Sequence, residues 1–350
     1  MCTDVHKEDV CMMKKRGIQI LMMLVLICTL GISACKKNVG TPEDNAVTED
    51  PEEDETEGEE GEEESYVIGF SPIDMENPYF ITLESAVREA LEAEGCQVIT
   101  KDPGTDAALQ ETQIQEMIDE GIDAILLTPV DWEEITPSLE ALREADVKIL
   151  NVDTQVKEMD YVDAYIGSDN YTAGQLCGED LIEKRPEGGK IAILECPTQN
   201  SINERITGFE EAISEAEKGF EVVAREDTGG QFEKALEAAE QILAEHPDLT
   251  AIMCGNDQIA VGAKTAVNLA ELDDVIIYGV DGSPDIKKEL KKPGNQIAGT
   301  AAQSPINMGK SAAELVLKML KGEAYERETY EDVFMINEEN VDMYGTDGWQ

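Results

Sequence analysis

Short runs of β-branched and aromatic residues alternate with longer amphipathic segments along most of the chain. The first run, Tyr66–Phe70, is followed by a polar turn and then by apolar residues at helical spacing from Pro78 to Glu94. Runs of this length and composition are typical of buried strands, and the spacing in the longer segments is typical of helices. The pattern therefore predicts strand, loop and helix in regular succession.

The same succession repeats to near the end of the chain. The predicted strands are Tyr66–Phe70, Cys96–Thr100, Ala124–Thr128, Lys148–Val152, Ala164–Gly167, Lys190–Leu194, Glu221–Arg225, Ala251–Cys254, Val275–Tyr278, Ile297–Thr300 and Val333–Ile336. The predicted helices are Pro78–Glu94, Asp106–Glu120, Thr136–Ala145, Tyr171–Lys184, Asn203–Glu217, Gln231–Ala244, Gly255–Ala270 and Pro305–Leu320. This repetition indicates parallel sheets covered by helices on both faces, in two similar halves.

Polar and aromatic side chains collect at the predicted strand ends and helix starts. Ligands of parallel α/β sheets bind just beyond the carboxyl ends of the strands. Each of these residue types is also common in turns and caps, so the grouping, not any single residue, indicates a site. Carboxylates accept from hydroxyls, Arg donates, and Asn and Gln do both, which suits a neutral, hydroxyl-rich ligand. The candidates are Asn77, Tyr79, Phe80, Asp153, Arg205, Asn256, Asp281 and Gln303.

The charge and the rarity of His narrow the function classes. The 350 residues carry a formal net charge of −49, which argues against nucleic acid or an anionic membrane surface as a partner, because both would repel the chain. With only His6 and His246 present, a His-rich metal site is not indicated. No GxGxxG follows the first strand and no P-loop occurs. We expect no metal, no cofactor and no catalytic residue.

The cysteines give no sign of a redox or zinc site. Cys96, Cys177, Cys196 and Cys254 lie in the α/β part, and the others precede it. None forms a CxxC pair, which makes zinc binding and thioredoxin-like chemistry weak interpretations. Buried thiols are the expected state, with one disulfide left open.

The N-terminal segment has the parts of a bacterial secretion signal. A positive stretch, Lys14–Arg16, precedes the apolar run Ile18–Leu30, which is shorter than the roughly 20 residues of a membrane span. The residues "ISAC" at Ile32–Cys35 resemble a bacterial lipobox, and the resemblance implies cleavage before Cys35 and its lipidation. An uncleaved anchor is the alternative. We expect residues 1–34 to be a signal peptide and the protein to be extracytoplasmic, lipid-anchored to the cell membrane.

An acidic tract separates this segment from the first strand. Beyond Lys37 it contains no basic residue as far as Ser65, and Glu and Asp dominate it. Such a tract cannot bury enough apolar surface to become ordered, and it extends by self-repulsion. Residues 35–65 are therefore predicted to be a disordered tether. Translation starts at Met1, Met12 or Met13, which the sequence leaves open.

Several motifs between Tyr66 and Ile336 resemble the periplasmic ribose-binding protein family, the type I solute-binding proteins of ABC transporters. They occur in the family's order and are "NPYF" at Asn77–Phe80, "NVD" at Asn151–Asp153, "SDN" at Ser168–Asn170, "NER" at Asn203–Arg205, "GNDQIAVGA" at Gly255–Ala263, "GVDGSPD" at Gly279–Asp285 and "AQ" at Ala302–Gln303.

The resemblance implies an α/β fold of two Rossmann-like lobes with parallel sheets and a hinge of three crossings. These crossings would lie near Ser168, Gln303 and Arg327. The first lobe would comprise residues 66–168 plus 304–326, and the second residues 169–303 plus 327–340. The ligand would lie between the lobes, which close on it, and the family has sugar-contacting residues at the eight candidate positions given above.

Three features depart from the ribose-binding members. Those members usually have Arg directly after the aspartate of the fourth strand, where this chain has Thr154. They have an aromatic residue two positions before that of Phe232, where this chain has Gly230, and their first loop is shorter than Ser71–Asn77. We therefore expect Thr154 to line one side of the site, and a hexose or modified sugar to bind more tightly than ribose.

The expected function is a membrane-anchored, monomeric protein that captures a monosaccharide and delivers it to an ABC permease. A membrane sensor kinase or chemoreceptor as its client is an open alternative. A glycoside hydrolase that uses Asp153 and Asp281 as paired carboxylates is a further hypothesis, although no environment that raises a pKa can be read from the sequence. A sugar-responsive repressor would share the fold, but no basic helix-turn-helix precedes Tyr66.

Overall fold

The structure, a computed structural model, describes residues 65–350. The predicted signal peptide, Cys35 and the tether up to residue 64 lie outside this range. Within the described range, no helix combines the length and apolar character needed to span a bilayer.

Strands and helices alternate throughout the described chain. The strands are β1 (Val67–Ser71), β2 (Gln97–Thr100), β3 (Ala124–Leu127), β4 (Lys148–Val152), β5 (Ala164–Ser168), β6 (Gly189–Glu195), β7 (Phe220–Asp227), β8 (Leu249–Cys254), β9 (Ile276–Asp281), β10 (Ile297–Ala302), β11 (Glu328–Glu331) and β12 (Phe334–Asn337). The helices are α1 (Pro78–Ala93), α2 (Ala107–Asp119), α3 (Thr136–Glu144), α4 (Asn170–Lys184), α5 (Asn200–Ser214), α6 (Phe232–Glu245), α7 (Asp257–Leu269), α8 (Pro284–Leu290), α9 (Pro305–Leu320) and α10 (Val341–Tyr344).

The strands form two six-stranded sheets, one in each lobe. The first sheet has the order β11-β5-β4-β3-β1-β2, and the second has the order β12-β10-β9-β8-β6-β7. Within these two sheets every neighbouring pair is parallel except β10 and β12. The predicted fold class, two α/β lobes with parallel sheets, is confirmed.

Each lobe has its own hydrophobic core. In the first lobe, Leu83 of α1 and Met308 of α9 pack on one face of the sheet, while Ile114 of α2 and Leu139 of α3 pack on the other. In the second lobe a single cluster that includes Phe209 joins the helices to the sheet. Burial of these side chains, at about 25 cal/mol per Å² of apolar surface, holds each lobe together independently of the cleft between them.

The chain passes between the sheets three times. The first passage follows β5, the second joins β10 to α9 through Gln303, and the third joins β11 to β12. The prediction that the third crossing lies near Arg327 is wrong, because β11 still pairs in parallel with β5 of the first sheet. Residues 328–331 therefore belong to the first lobe and not to the second.

Polar side chains fix the starts of two helices that face the cleft. Asn77 Oδ1 accepts from the Tyr79 amide at 2.9 Å at the start of α1, where Pro78 is the first helical residue. Asn256 Oδ1 accepts from the Ile259 amide at 2.9 Å at the start of α7. Both caps satisfy backbone N–H groups that have no partner inside the helix, so they anchor the residues around them.

Candidate functional site

One cavity between the two lobes contains all eight residues predicted from the sequence. Its lining comes from the first lobe, the second lobe and the hinge, and its atom-free space, including the part open to solvent, is about 380 Å³. The lining residues are Asp74, Asn77, Tyr79, Phe80, Asp153, Gln199, Ser201, Arg205, Gly229, Gly230, Asn256, Asp281 and Gln303. The structure thus brings together residues that lie more than two hundred positions apart in the chain.

The first lobe supplies the aromatic side of the cavity. The Tyr79 and Phe80 rings are both buried and meet edge to face, with their centroids 5.3 Å apart. The Tyr79 hydroxyl donates to Met308 Sδ at 3.3 Å. Burial raises the pKa of Tyr79, and the nearby carboxylates of Asp153 and Asp281 raise it further, so the phenol stays protonated. These rings offer flat faces to the C–H groups of a small ligand.

Asp153 reaches the cavity from a strained backbone at the end of β4. Its φ angle is +66°, in the left-handed region that most residues avoid. The Asp153 amide donates to the Ile166 carbonyl at 2.9 Å, and its own carbonyl accepts from the Tyr165 hydroxyl at 2.9 Å, which holds this conformation. Such strain persists only where surrounding contacts maintain it, and it is found most often at functional sites.

Arg205 of α5 is the buried cation of the cavity. Its Nε donates to Asn170 Oδ1 at 2.8 Å and its Nη1 donates to the Gly255 carbonyl at 2.9 Å. Nη1 also lies 3.9 Å from Asp281 Oδ1. With the side chain almost fully buried, these bonds fix the guanidinium plane and leave it facing the carboxylates of the cavity.

A second buried carboxylate group lies at the ends of β9 and β10. Asp281 Oδ1 accepts from Gln303 Nε2 at 2.7 Å, and Asp281 Oδ2 accepts from the Asp257 amide at 3.3 Å. Asp257 in turn accepts from Thr300 Oγ1 at 2.8 Å and from the Ser283 amide at 2.7 Å. Asp257 thus supports Asp281 from behind the cavity.

Burial is the largest cause of the pKa shifts of these acids. It raises the pKa of Asp153 and of Asp281, and the Arg205 guanidinium opposes the rise in both cases. It also raises the pKa of Asp257, and the neighbouring Asp281 carboxylate raises that pKa further. Desolvation disfavours a charged carboxylate, so each acid gains from a hydroxyl donor that replaces water.

Gln303 leaves one hydrogen-bonding atom available in the cavity. Its Nε2 donates to Asp281, but its Oε1 has no hydrogen-bond partner within residues 65–350 and is buried. A buried acceptor without a donor costs about 1–3 kcal/mol. A ligand hydroxyl at this position would satisfy it.

Sequence reasoning missed several residues of the site. Gln199 and Ser201 line the cavity from the start of α5, and Asp257 supports it. Gln199 and Ser201 lie in a polar run that resembles an ordinary turn after β6. The signal that could have found Gln199 and Ser201 is the sheet order, because β6 lies between β7 and β8 and its carboxyl end faces the cleft.

Thr154 has a different place from the one predicted. It is not among the lining residues of the cavity; its hydroxyl is buried 2.6 Å from Ser201 Oγ of the second lobe and donates to Asp153 Oδ2 at 3.2 Å. The expectation that Thr154 lines the site is therefore wrong. The short side chain allows the two lobes to touch at this point.

Two more hydrogen bonds join the lobes around the cavity. The Trp132 amide donates to the Thr198 carbonyl at 3.0 Å, and Gln231 Nε2 donates to Thr105 Oγ1 at 3.0 Å. These contacts hold the two lobes together beside the cavity. The structure therefore shows the cleft in a closed arrangement.

The donor set suits an uncharged polyol more than a metal ion. The described residues contain no group of three His, Cys, Asp or Glu side chains placed to hold a metal. Carboxylates, amides and one guanidinium line one side of the cavity, and two aromatic rings line another. The four cysteines of the described chain are free and buried, and none of them lines the cavity.

Comparison with known proteins places the chain among binding proteins. A family model described as a periplasmic binding protein domain matches residues 68–324. The ribose import binding protein of Bacillus subtilis is 28% identical over 268 residues, which cover 76% of this chain and 86% of that protein.

Two solved structures resemble the chain closely in fold. An ABC transporter solute binding protein from Mycobacterium smegmatis with bound glycerol has 26% identity and a TM-score of 0.77, covering 82% of this chain and 99% of its own. An ABC transporter periplasmic solute binding protein from Actinobacillus succinogenes with bound D-allose has 26% identity and a TM-score of 0.73, covering 80% of this chain and 100% of its own.

Proposed function

The chain belongs to the periplasmic binding protein domain family, and we propose that it captures a monosaccharide between its two lobes and delivers it to an ABC permease. The observation that carries the proposal is the convergence of Asn77, Asp153, Arg205 and Asp281 on one buried cavity, beside two aromatic rings. Relatives named for ribose and a neighbour with bound D-allose support a sugar as the ligand.

The arrangement supports binding without chemistry. Asp153 and Asp281 could serve a glycosidase only as an acid and a base or nucleophile. Both instead have hydrogen-bond partners, and Asp281 is held by Gln303 and by the Asp257 amide. We propose that the two carboxylates accept ligand hydroxyls. A glycosidase assay with no turnover by the wild type would agree with this role.

A thermal-shift screen tests the function. A fragment of residues 65–350, which contains both hydrophobic cores, is screened against pentoses, hexoses and inositols. A ligand that binds only the folded state raises the melting temperature by mass action. We expect a clear rise with at least one sugar and a smaller rise with ribose. A panel without any stabilising sugar would contradict the proposal.

Membrane anchoring is a separate proposal. It is supported by the sequence alone, through the Lys14–Arg16 stretch, the apolar run and Cys35. We expect the wild type to fractionate with membranes and to incorporate a labelled fatty acid, and Cys35→Ala to lose the label. Cys28→Ala, in the same segment, is the matched control. Equal labelling of the Cys35→Ala variant would contradict the lipobox assignment.

A further inference from the structure

A second cavity adjoins the central one at the mouth of the cleft. We call it the vestibule; it is lined by Asp74, Glu76, Asn77, Gly104, Thr105, Gly230, Gln231, Phe232, Glu233 and Gln258. The atom-free space of the vestibule is about 990 Å³ and that of the central cavity about 380 Å³, each including the part open to solvent. Asp74, Asn77 and Gly230 line both cavities and so form the partition between them.

The partition is thin at Gly230. Residue 230 has a φ angle of +75° and no side chain. A Cβ atom there would lie 3.1 Å from Gln199 Nε2 and 3.8 Å from Asn256 Nδ2, so the backbone itself borders the cavity amides. On the opposite side, Asp74 Oδ1 and Asn77 Oδ1 are occupied by backbone amides of the same loop. Gly230 itself therefore contributes no side chain to the partition.

The side chains that line the vestibule favour one chemical kind of ligand group. Asp74, Glu76 and Glu233 supply carboxylates, and Gln231 and Gln258 supply amides. The lining contains no Lys or Arg among the described residues, so a phosphate would be repelled by three carboxylates with no cation to offset them. The Phe232 ring adds one apolar face. This chemistry matches hydroxyl or amino groups on a ring.

We propose that the ligand is a sugar ring that carries a polar, unphosphorylated extension, such as a second sugar unit. The proposal rests on the proposed function: one ring fills the central cavity, and the extension passes beside Gly230 into the vestibule. There the carboxylates accept from its hydroxyl or amino groups, and the amides both donate and accept. Phe232 contacts its C–H face.

Calorimetry on the full chain in detergent tests the proposal. The probes are hexoses, the disaccharides of differing linkage that contain them, and the hexose phosphates. At least one disaccharide is expected to bind about tenfold or more tightly than its parent hexose, a difference of about 1.4 kcal/mol. The hexose phosphates are expected not to bind more tightly than the hexoses.

Blocking the vestibule separates its role from that of the central cavity. Gln258→Trp places a large ring in the vestibule, and its disaccharide-to-hexose affinity ratio should fall by about tenfold or more. Glu233→Trp places a large ring in the vestibule from α6, and it is a second test in case the first variant misfolds. Asn268→Trp, on an exposed position of the same helix as Gln258, is the matched control and should keep the wild-type ratio.

The possible results distinguish the two proposals. If hexoses bind and every disaccharide binds more weakly than its hexose, the extension is overturned and sugar capture stands. If neither class binds, the extension is overturned, and sugar capture is overturned as well when no pentose or inositol binds. Folded Gln258→Trp and Glu233→Trp variants that keep the wild-type ratio would overturn the placement in the vestibule, as would hexose phosphates that bind most tightly.

Discussion

Gln303 shows how single side chains prepare the cavity for a ligand. Its Nε2 is committed to Asp281, while its buried Oε1 has no partner in the described part of the chain. Asp153 and Asp281 are held at φ angles of +66° and +140°. Polar groups oriented in advance lose little freedom on binding, which favours affinity. This arrangement costs free energy in the unliganded protein.

Replacement of Gln303 by the apolar Met, of similar length, should weaken sugar binding. The variant removes a donor to the Asp281 carboxylate and the free acceptor, so a loss of roughly 1–3 kcal/mol is expected. Calorimetric affinity for the sugar found by thermal shift is the measurement. Gln241→Met, at an exposed position of α6 that lines neither cavity, is the control. Affinity equal to that of the wild type would remove Gln303 from the site.

The buried acids make the stability of the unliganded protein depend on pH. A carboxyl group whose native pKa is raised above its unfolded value of about 4 binds more protons when folded. Its contribution to stability is therefore present at low pH and is lost as pH rises through the native pKa. Asp257, the acid behind Asp281, follows this rule because burial and the Asp281 charge raise its pKa.

We expect Asp257→Asn to flatten this pH dependence. The free energy of unfolding of the wild type should fall more between about pH 5 and about pH 8 than that of the variant, because the variant has no proton to release. Denaturant titrations at several pH values, without ligand, measure it. Asp273→Asn, at an exposed position, should keep the wild-type slope. Parallel slopes for Asp257→Asn and the wild type would contradict the account.

At the residue scale, the sequence predicted the cavity well where motifs follow strand ends. Asp153 directly follows β4, and Asp281 is the last residue of β9. Both are therefore expected at the cleft, because ligands of parallel sheets bind beyond the carboxyl ends of the strands. Thr154 could not be placed, because the side to which it points depends on the left-handed turn at Asp153. Nothing in the sequence shows that turn.

At the scale of elements, β11 is the strand that the sequence concealed. Its residues, "ETYE", alternate between exposed and half-buried positions, so they lack the apolar run that marks the other strands. It lies at the edge of the first sheet, where charged residues are common because they discourage further pairing. The third crossing was misplaced for this reason.

The segment after α10 is a second element with a role in the cleft. Lys287 of the second lobe is buried and its Nζ donates to the Gly348 carbonyl at 2.6 Å. Ser304 of the hinge donates to the Gln350 carbonyl. Trp349, between these anchors, meets the Tyr79 ring edge to face, with centroids 5.9 Å apart. The segment therefore links the second lobe and the hinge to an aromatic wall of the cavity.

Trp349→Ala should weaken sugar binding although Trp349 does not line the cavity. Loss of an aromatic pair costs about 0.5–1.5 kcal/mol, so the affinity should fall between about twofold and tenfold as Tyr79 loses its support. Calorimetry with the same sugar measures it, and Met343→Ala, at a position that is 75% exposed, is the control. An affinity that stays within error of the wild type would show that Tyr79 does not need this contact.

At the scale of the whole molecule, the two lobes have separate cores and meet mainly through polar groups. In the described part of the chain, hydrogen bonds cross the cleft at three places: they join Thr154 to Ser201, Trp132 to Thr198, and Thr105 to Gln231. The hydrophobic clusters of the two lobes are separate, and three chain passages form the hinge between them. A ligand that bridges both lobes would favour the closed arrangement by its differential affinity.

The most direct test of the account is a calorimetric titration of the sugar found by thermal shift into three proteins. These are the wild type, Asp153→Asn from the first lobe and Asp281→Asn from the second, with melting temperatures checked beforehand. One sugar is expected to bind per wild-type chain, and each variant should bind at least about tenfold more weakly, a loss of about 1.4 kcal/mol or more. Wild-type affinity in both folded variants would contradict capture between the lobes.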